Sequence, residues 1–212
     1  MIYLIITACI NNIHGYRDEE NRKQTYIHHI RTSLSFLSPE IKPIIVENSA
    51  KMAPTCLDGI SRADVVYTQN NLDETKTSHK GITELADIHA IMEKYNIADD
   101  DIVIKLTGRY CVQSPDFFDF VVHNQNNYDA FVKFYNVCTR KFMYNDCVMG
   151  MYAMKAKYLR EFQYIKGIER IQSMEVQFAN YVRSVCSPER ICEIPVINMV
   201  CIFADYMNVQ HV

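Results

Sequence analysis

The chain has 212 residues, 49% of them apolar and 22% charged, enough for one substantial core. Its 22 basic and 25 acidic residues give a net charge of −3, so no global positive field marks a nucleic-acid binder. No stretch approaches roughly 18 consecutive apolar residues, so the sequence offers no membrane span.

The opening segment, MIYLIITAC, has no basic residue ahead of it and runs straight into INNIHGYRDEE. It reads as a strand over residues 2–6, ended by Thr7, and not as a signal peptide. From residue 20 the apolar positions Ile27, Ile30, Leu34 and Leu37 step by three and four. That spacing predicts a helix with one apolar face, closed by Ser38-Pro39. Residues 43–46 predict a second strand and 63–67 a third, with no clear helix between them. A long helix over 81–95 puts Leu85, Ile88 or His89, and Met92 on one face. A fourth strand follows at 102–106. Short apolar strands alternating with helices predict an α/β fold with a mostly parallel central sheet flanked by helices.

The second half is richer in aromatic residues and methionine. Residues 130–135 (AFVKFY) and 147–154 (CVMGMYAM) predict strands, and 155–164 a short helix. A longer helix over 172–185 steps Met174, Phe178, Tyr181 and Val185 down one side. A last strand is expected over 194–203 despite Pro195. No Gly/Pro/Ser-rich linker divides the chain, so residues 1–212 read as one domain, with a nucleotide half over 1–110 and an acceptor half over 111–212. The eight cysteines (9, 56, 111, 138, 147, 186, 192, 201) are scattered without a CxxC. That pattern favours reduced core thiols in a cytoplasmic setting over a zinc site. Fourteen tyrosines could line a carbohydrate groove or serve as half-buried packing.

Right-handed crossovers gather the C-terminal ends of parallel strands on one edge, and ligands bind beyond that edge. The candidate site residues are therefore Thr7, Glu47-Asn48-Ser49, Thr68-Gln69-Asn70 and Thr107-Gly108-Arg109. Arg109 offers a planar fork suited to carboxylate or phosphate. Gly108 admits a close ligand approach or a turn closed to other residues, and Thr107 can donate its hydroxyl. The same tripeptide also reads as a tight turn whose arginine pairs with Glu47 or another rim acid. Asp99-Asp100-Asp101 looks like a DxD metal signature but precedes the fourth strand, which places it on the opposite edge, in a solvated turn. His79-Lys80-Gly81 opens the long helix, where free N–H groups and the dipole suit an anion, with Ser78 or Thr77 as N-cap. Glu175, one position off an apolar helix face, and Asp146, just before CVMGMYAM, are rival candidates for a catalytic base. Each also has a plain alternative, as a surface glutamate and a turn aspartate. His14 and His211 read as solvent-exposed.

KLTGRY at residues 105–110, Lys80-Gly81 ahead of Glu84, and Glu175 in a late helix together resemble small GT-A glycosyltransferases. More narrowly, they resemble a compact viral and bacterial group that includes the amino-terminal glycosyltransferase domain of a large algal-virus protein involved in capsid glycosylation. The resemblance implies a UDP-sugar donor bound across the edge of the amino-terminal sheet, and transfer to a glycan or glycoprotein acceptor. Thr7 and Asn48 would contact the nucleoside. Lys80, Gly81, Thr107, Gly108 and Arg109 would surround the diphosphate, and Glu175 or Asp146 would act on the acceptor. Typical members carry DxD where this chain has Thr107-Gly108-Arg109. Mn²⁺ or Mg²⁺ would then bind through the diphosphate and another acid, or Arg109 and Lys80 would replace it. Neither a nucleic-acid partner nor a membrane span is implied. The stretch TACINNIHG carries one glycine and offers neither a P-loop nor a dinucleotide fingerprint. A nucleotidyltransferase or another nucleotide-binding enzyme stays open, as does a non-catalytic carbohydrate-binding module, which gives Arg109 and Lys80 no role.

Overall fold

The structure, a computed structural model, describes residues 1–11, 19–49, 54–70, 80–134, 145–165, 167, 172–202 and 209–212. His14, Thr77, Ser78, His79, Tyr135, Cys138 and Phe203 lie outside the described residues, as does the Lys80 side chain.

The elements in chain order are β1 (Ile2–Ala8), α1 (Glu19–Ser35), β2 (Ile41–Glu47), β3 (Asp64–Tyr67), α2 (Lys80–Lys94) and β4 (Ile102–Thr107). They continue with β5 (Cys111–Val112), α3 (Asp116–Asn124), β6 (Ala130–Val132), β7 (Met151–Lys155), α4 (Ala156–Glu161) and α5 (Met174–Val185). β8 (Ile191–Glu193), β9 (Met199–Ile202) and β10 (Val209–His211) complete the described elements. A seven-stranded sheet runs β3-β2-β1-β4-β7-β6-β8, and a three-stranded sheet runs β10-β9-β5. The first four strands are parallel. β7 is antiparallel to β4 and β6, and β8 is parallel to β6. The result is the α/β fold that the strand and helix alternation predicts, with the central sheet mixed but mostly parallel.

Every residue of β1 and of β4 is buried, because helices cover both faces of the sheet. This explains why these strands read as continuous apolar runs. Ile2, Leu4 and Ile6 face one side, where Tyr26, Ile30 and Leu34 of α1 and Phe118 and Val121 of α3 pack. Tyr3 and Ile5 face the other, against Leu85, Ile88 and Met92 of α2, Leu159 of α4 and Phe178 of α5. Each such Leu or Ile contributes about 1.5–3 kcal/mol through burial.

Several boundaries differ from expectation. The buried stripe of α1 begins with Tyr26 and includes His29, whereas Ile27 is only half-buried. The strand expected over 194–203 is broken, because Pro195 has no N–H to donate and Asn198 takes a left-handed φ of 57°. The strand expected over 147–154 begins only at Met151, and Cys147 forms an isolated bridge with Phe134. Between β2 and β3 a 3₁₀ turn, Cys56–Gly59, is capped by Thr55. The Asp99-Asp100-Asp101 triplet does precede β4, with Asp99 3.3 Å from Arg160 and Asp100 3.5 Å from Lys155. Of the seven described cysteines, Cys147, Cys186 and Cys201 are buried and Cys56 is exposed. Among the described residues no helix is long and apolar enough to cross a membrane.

Candidate active site

Helix α2 sends two carboxylates, Glu84 and Asp87, toward the C-terminal ends of the parallel strands. Their spacing of three places them on one helix face. Asp87 is fully buried and accepts from Asn48 Nδ2 (2.6 Å), Thr68 Oγ1 (2.6 Å) and Asn70 Nδ2 (2.7 Å). It thereby ties together the residues that follow β2 and β3. Burial pushes its carboxyl up to about 6, against the lowering effect of those three hydrogen bonds. Glu47 is buried in the same way and accepts from the Ser49 N–H (2.8 Å), the Ser49 hydroxyl and the Ile10 N–H (3.2 Å). Burial pushes it up to about 7. Asn48 and Thr7, the expected nucleoside contacts, are built into this network. Asn48 keeps a buried Oδ1 with no hydrogen-bond partner, and Thr7 donates to Glu84 Oε1 at 3.3 Å. Neither lines the cavity described next.

Beyond the end of β4 lies a cavity of about 240 Å³, with polar walls from Glu84, Lys105, Thr107, Arg109 and Glu175, and Gly81 at its margin. Lys105 is 2% exposed, in a strand with no solvent face. Such a buried ammonium must find acceptors, and it has three: Glu84 Oε2 (3.0 Å), Thr107 Oγ1 (2.6 Å) and the Met149 carbonyl (2.7 Å). Burial would raise the Glu84 carboxyl, but Lys105 and Arg109 outweigh it and hold Glu84 below the usual carboxylate range. Because Thr107 Oγ1 accepts from Lys105, its own O–H is left as the group that can donate into the cavity.

The turn after β4 closes through Gly108 N–H to Thr7 O (2.8 Å) and Tyr110 N–H to Thr107 O (2.9 Å). Gly108 has no positive φ and does not line the cavity. A Cβ there would lie 3.0 Å from Thr7 O, 3.1 Å from Ile6 Cγ2 and 3.2 Å from the Tyr26 ring. A side chain there would crowd the packing of the turn on β1 and α1, in keeping with the alternative that glycine serves a tight turn. Arg109 donates from Nε to Ile202 O (2.8 Å) and reaches the Tyr110 hydroxyl from Nη2 (3.4 Å). Its own carbonyl accepts from His29 Nδ1–H at 2.6 Å. Among the described residues no carboxylate forms an ion pair with Arg109, so the alternative of a pair with Glu47 is not realised.

Glu175 lies in the first turn of α5, half-buried, and lines the same cavity as Arg109. Its backbone carbonyl accepts from Cys147 Sγ at 3.3 Å, and its charge acts on Lys105. Asp146 is buried beside Cys147 and does not line the cavity. Thr107, Arg109, Gly81 and Glu175 are thus brought together, while Thr7, Asn48, Gly108 and Asp146 sit behind or beside them. Sequence reasoning left Lys105 and Asp87 unassigned. The available signal was a charged residue inside an otherwise apolar strand, and an aspartate three positions beyond Glu84.

Among the described residues no group of three or more His, Cys, Asp or Glu side chains is placed to hold a metal ion. Among the described residues two carboxylate side chains line the cavity, and Glu84 is engaged by Lys105 and Thr7. These described donors do not fit a protein-held Mn²⁺ or Mg²⁺.

No protein-family model and no curated protein matches the chain. Solved structures do. CMP:2-keto-3-deoxy-manno-octonic acid synthetase complexed with CTP superposes with a TM-score of 0.56 at 11% identity, over 91% of this chain and 89% of that one. A Bacillus anthracis protein assigned as a glucose-1-phosphate thymidylyltransferase, in complex with sucrose, gives 0.57 at 11% identity, over 92% and 86%. The mannosyltransferase PcManGT of Pyrobaculum calidifontis, in complex with GDP-Man and Mn²⁺, gives 0.56 at 8% identity, over 92% of this chain and 55% of that one. Identities this low speak for the fold alone, and the fold is GT-A-like, shared by sugar-transferring and nucleotidyl-transferring enzymes.

Proposed function

We propose that this chain is a glycosyltransferase that moves a sugar from a UDP-sugar donor to a hydroxyl of a glycan acceptor. The observation that carries the reading is Arg109, a guanidinium in the cavity wall that forms no ion pair among the described residues, facing a cavity that also holds the Glu175 carboxylate. As the bond from the anomeric carbon to the diphosphate breaks, negative charge grows on the leaving oxygen. Arg109 and the Thr107 hydroxyl are placed to stabilise it. In an inverting reaction the acceptor hydroxyl gives its proton to Glu175 while its oxygen bonds to the anomeric carbon. Residues 1–110 carry the donor in this reading and 111–212 the acceptor. The resemblance of KLTGRY extends the acceptor to a glycan on a viral capsid glycoprotein. Calorimetry against UDP, GDP, CDP and ATP, followed by release of UDP from UDP-sugars, tests it. UDP should bind most tightly, and absence of binding by all four would overturn the reading.

A second reading, nucleotidyl transfer, draws on the fold, which the CTP-bound synthetase and the Bacillus anthracis protein share over 91% and 92% of this chain. Pyrophosphate release from a nucleoside triphosphate in the presence of a sugar phosphate, without UDP release from any UDP-sugar, would select it.

A further inference from the structure

We infer that the donor's diphosphate is neutralised by the chain itself, through Arg109, with no divalent cation held on protein carboxylates. This rests on the nucleotide-diphosphate-sugar reading above and concerns the charge balance of the same cavity. The argument starts from what each charged group already does. Lys105 has three N–H donors, and all three are spent on Glu84, Thr107 and Met149. Glu84 is occupied through both oxygens, by Lys105 and by Thr7. A metal ion that recruited Glu84 would strip a 2%-exposed ammonium of its counter-charge, a change known to be strongly destabilising. Among the described residues Glu175 is then the remaining carboxylate side chain on the cavity wall.

Arg109 is in the opposite condition. Its hydrogen-bond partners among the described residues are a carbonyl and a phenol, and Glu84 acts on its charge without forming an ion pair with it. A guanidinium has five N–H donors, so these two partners (Ile202, Tyr110) leave three for a ligand. The guanidinium carbon lies 5.0 Å from the Tyr110 ring centroid, and His29 fixes the Arg109 carbonyl, so the fork is oriented before any ligand arrives. A dication bound beside this guanidinium would be repelled by it, whereas a diphosphate would be attracted.

The test is calorimetric titration of the whole chain with UDP and with uridine, in EDTA and in Mn²⁺ or Mg²⁺, for wild type, Arg109→Lys and Arg109→Ala. Far-UV circular dichroism melts establish that each variant is folded. The expected result is a UDP Kd in EDTA within about twofold of that in metal. Arg109→Ala should weaken UDP at least tenfold, and Arg109→Lys should recover part, since a point charge lacks the fork. Uridine should be unaffected in both variants. A tenfold or greater loss of UDP affinity in EDTA, restored by Mn²⁺ or Mg²⁺, would overturn the inference and leave the donor reading standing. Equal UDP affinity in wild type and Arg109→Lys would overturn it through Arg109, even if Arg109→Ala does not fold. If folded wild type binds no UDP in either buffer, the donor reading fails, and the inference with it.

Discussion

Lys105 Nζ lies 3.0 Å from Glu84 Oε2, joining the middle of the central sheet to the first turns of α2 at the floor of the cavity. The lysine side chain is 2% exposed and the glutamate 28%, so the pair is half in water and half out of it. Removing the glutamate charge alone should be the costly change, because Lys105 would be left buried without a counter-ion. Glu84→Gln is expected to destabilise by about 3 kcal/mol. Lys105→Met should cost less, since Glu84 can turn to solvent. The double variant should be less destabilised than the sum of the two. Urea unfolding of all four proteins gives the coupling directly, and additive losses would show that the pair is not a unit.

Two glycines on the cavity wall should respond differently to alanine. At Gly81 an added Cβ would meet the flexible Met174 side chain, Sδ at 2.9 Å and Cγ at 3.1 Å, which can shift. Since Gly81 is the second residue of α2 and short of the helix interior, Gly81→Ala should be close to neutral, within about 1 kcal/mol. At Gly150 the Cβ would fall on the Tyr110 ring, which is buried and stacked under Arg109. Gly150→Ala is expected to lower stability by about 1–3 kcal/mol and to weaken UDP binding by displacing Tyr110. Thermal melts and UDP titration of the two variants check the contrast. A stable Gly150→Ala with unaltered UDP affinity would contradict it.

The parallel half of the sheet was legible because β1, β2 and β4 are covered on both faces and so are written in Ile, Val and Leu without alternation. That topology also placed Asp99-Asp100-Asp101 away from the cavity without any knowledge of side-chain contacts. The small antiparallel sheet was not legible. β5 has two residues and β10 three, too short to show a period, and α3 packs through Phe117, Phe118 and Val121 in only nine residues. The site was half legible. Arg109 and Glu175 announced themselves as charges at element ends, but the partners of Thr7 and Asn48 lie 77 and 39 residues away on α2. Only the fold shows that these polar strand ends satisfy one another.

Glu47 and Asp87 give the molecule a pH dependence of a definite sign. An unfolded glutamate or aspartate releases its proton near pH 4, whereas burial pushes these two up to about 7 and about 6 in the folded chain. Between about pH 4 and 7 the folded chain therefore holds protons that the unfolded chain has lost, and stability falls as pH rises through that window. Glu84 and Asp129 are held low and act in the opposite sense, but below about pH 4.5. His29, lowered by burial, also opposes the trend, adding stability as pH rises toward about 6.5. The discriminating quantity is the difference between wild type and Glu47→Gln. That difference should shift in the variant's favour by on the order of 2–3 kcal/mol from pH 5 to pH 8, read from denaturant midpoints. A difference that does not change with pH would show that Glu47 is ionised throughout.

Glu175 and Asp146 make opposite predictions for the acceptor side. Glu175 reaches the cavity from the start of α5, with its backbone held by Cys147 and the charge of Lys105 nearby. Asp146 is buried one residue before Cys147, behind the cavity wall. A base must come within hydrogen-bond reach of the acceptor hydroxyl, so geometry favours Glu175. Glu175→Gln keeps the shape and removes the charge. It should cut sugar transfer by roughly 10² or more while leaving UDP affinity within about twofold, since the base acts on the acceptor and not the donor. Asp146→Asn should show its effect mainly in the melting temperature, as a buried side chain behind the wall. Rates of UDP release with and without acceptor, measured beside UDP titrations, separate these outcomes. Full transfer by Glu175→Gln with collapse in Asp146→Asn would reverse the assignment. Activity retained in both would remove the base altogether and point to a retaining reaction, in which no residue need deprotonate the acceptor from that side.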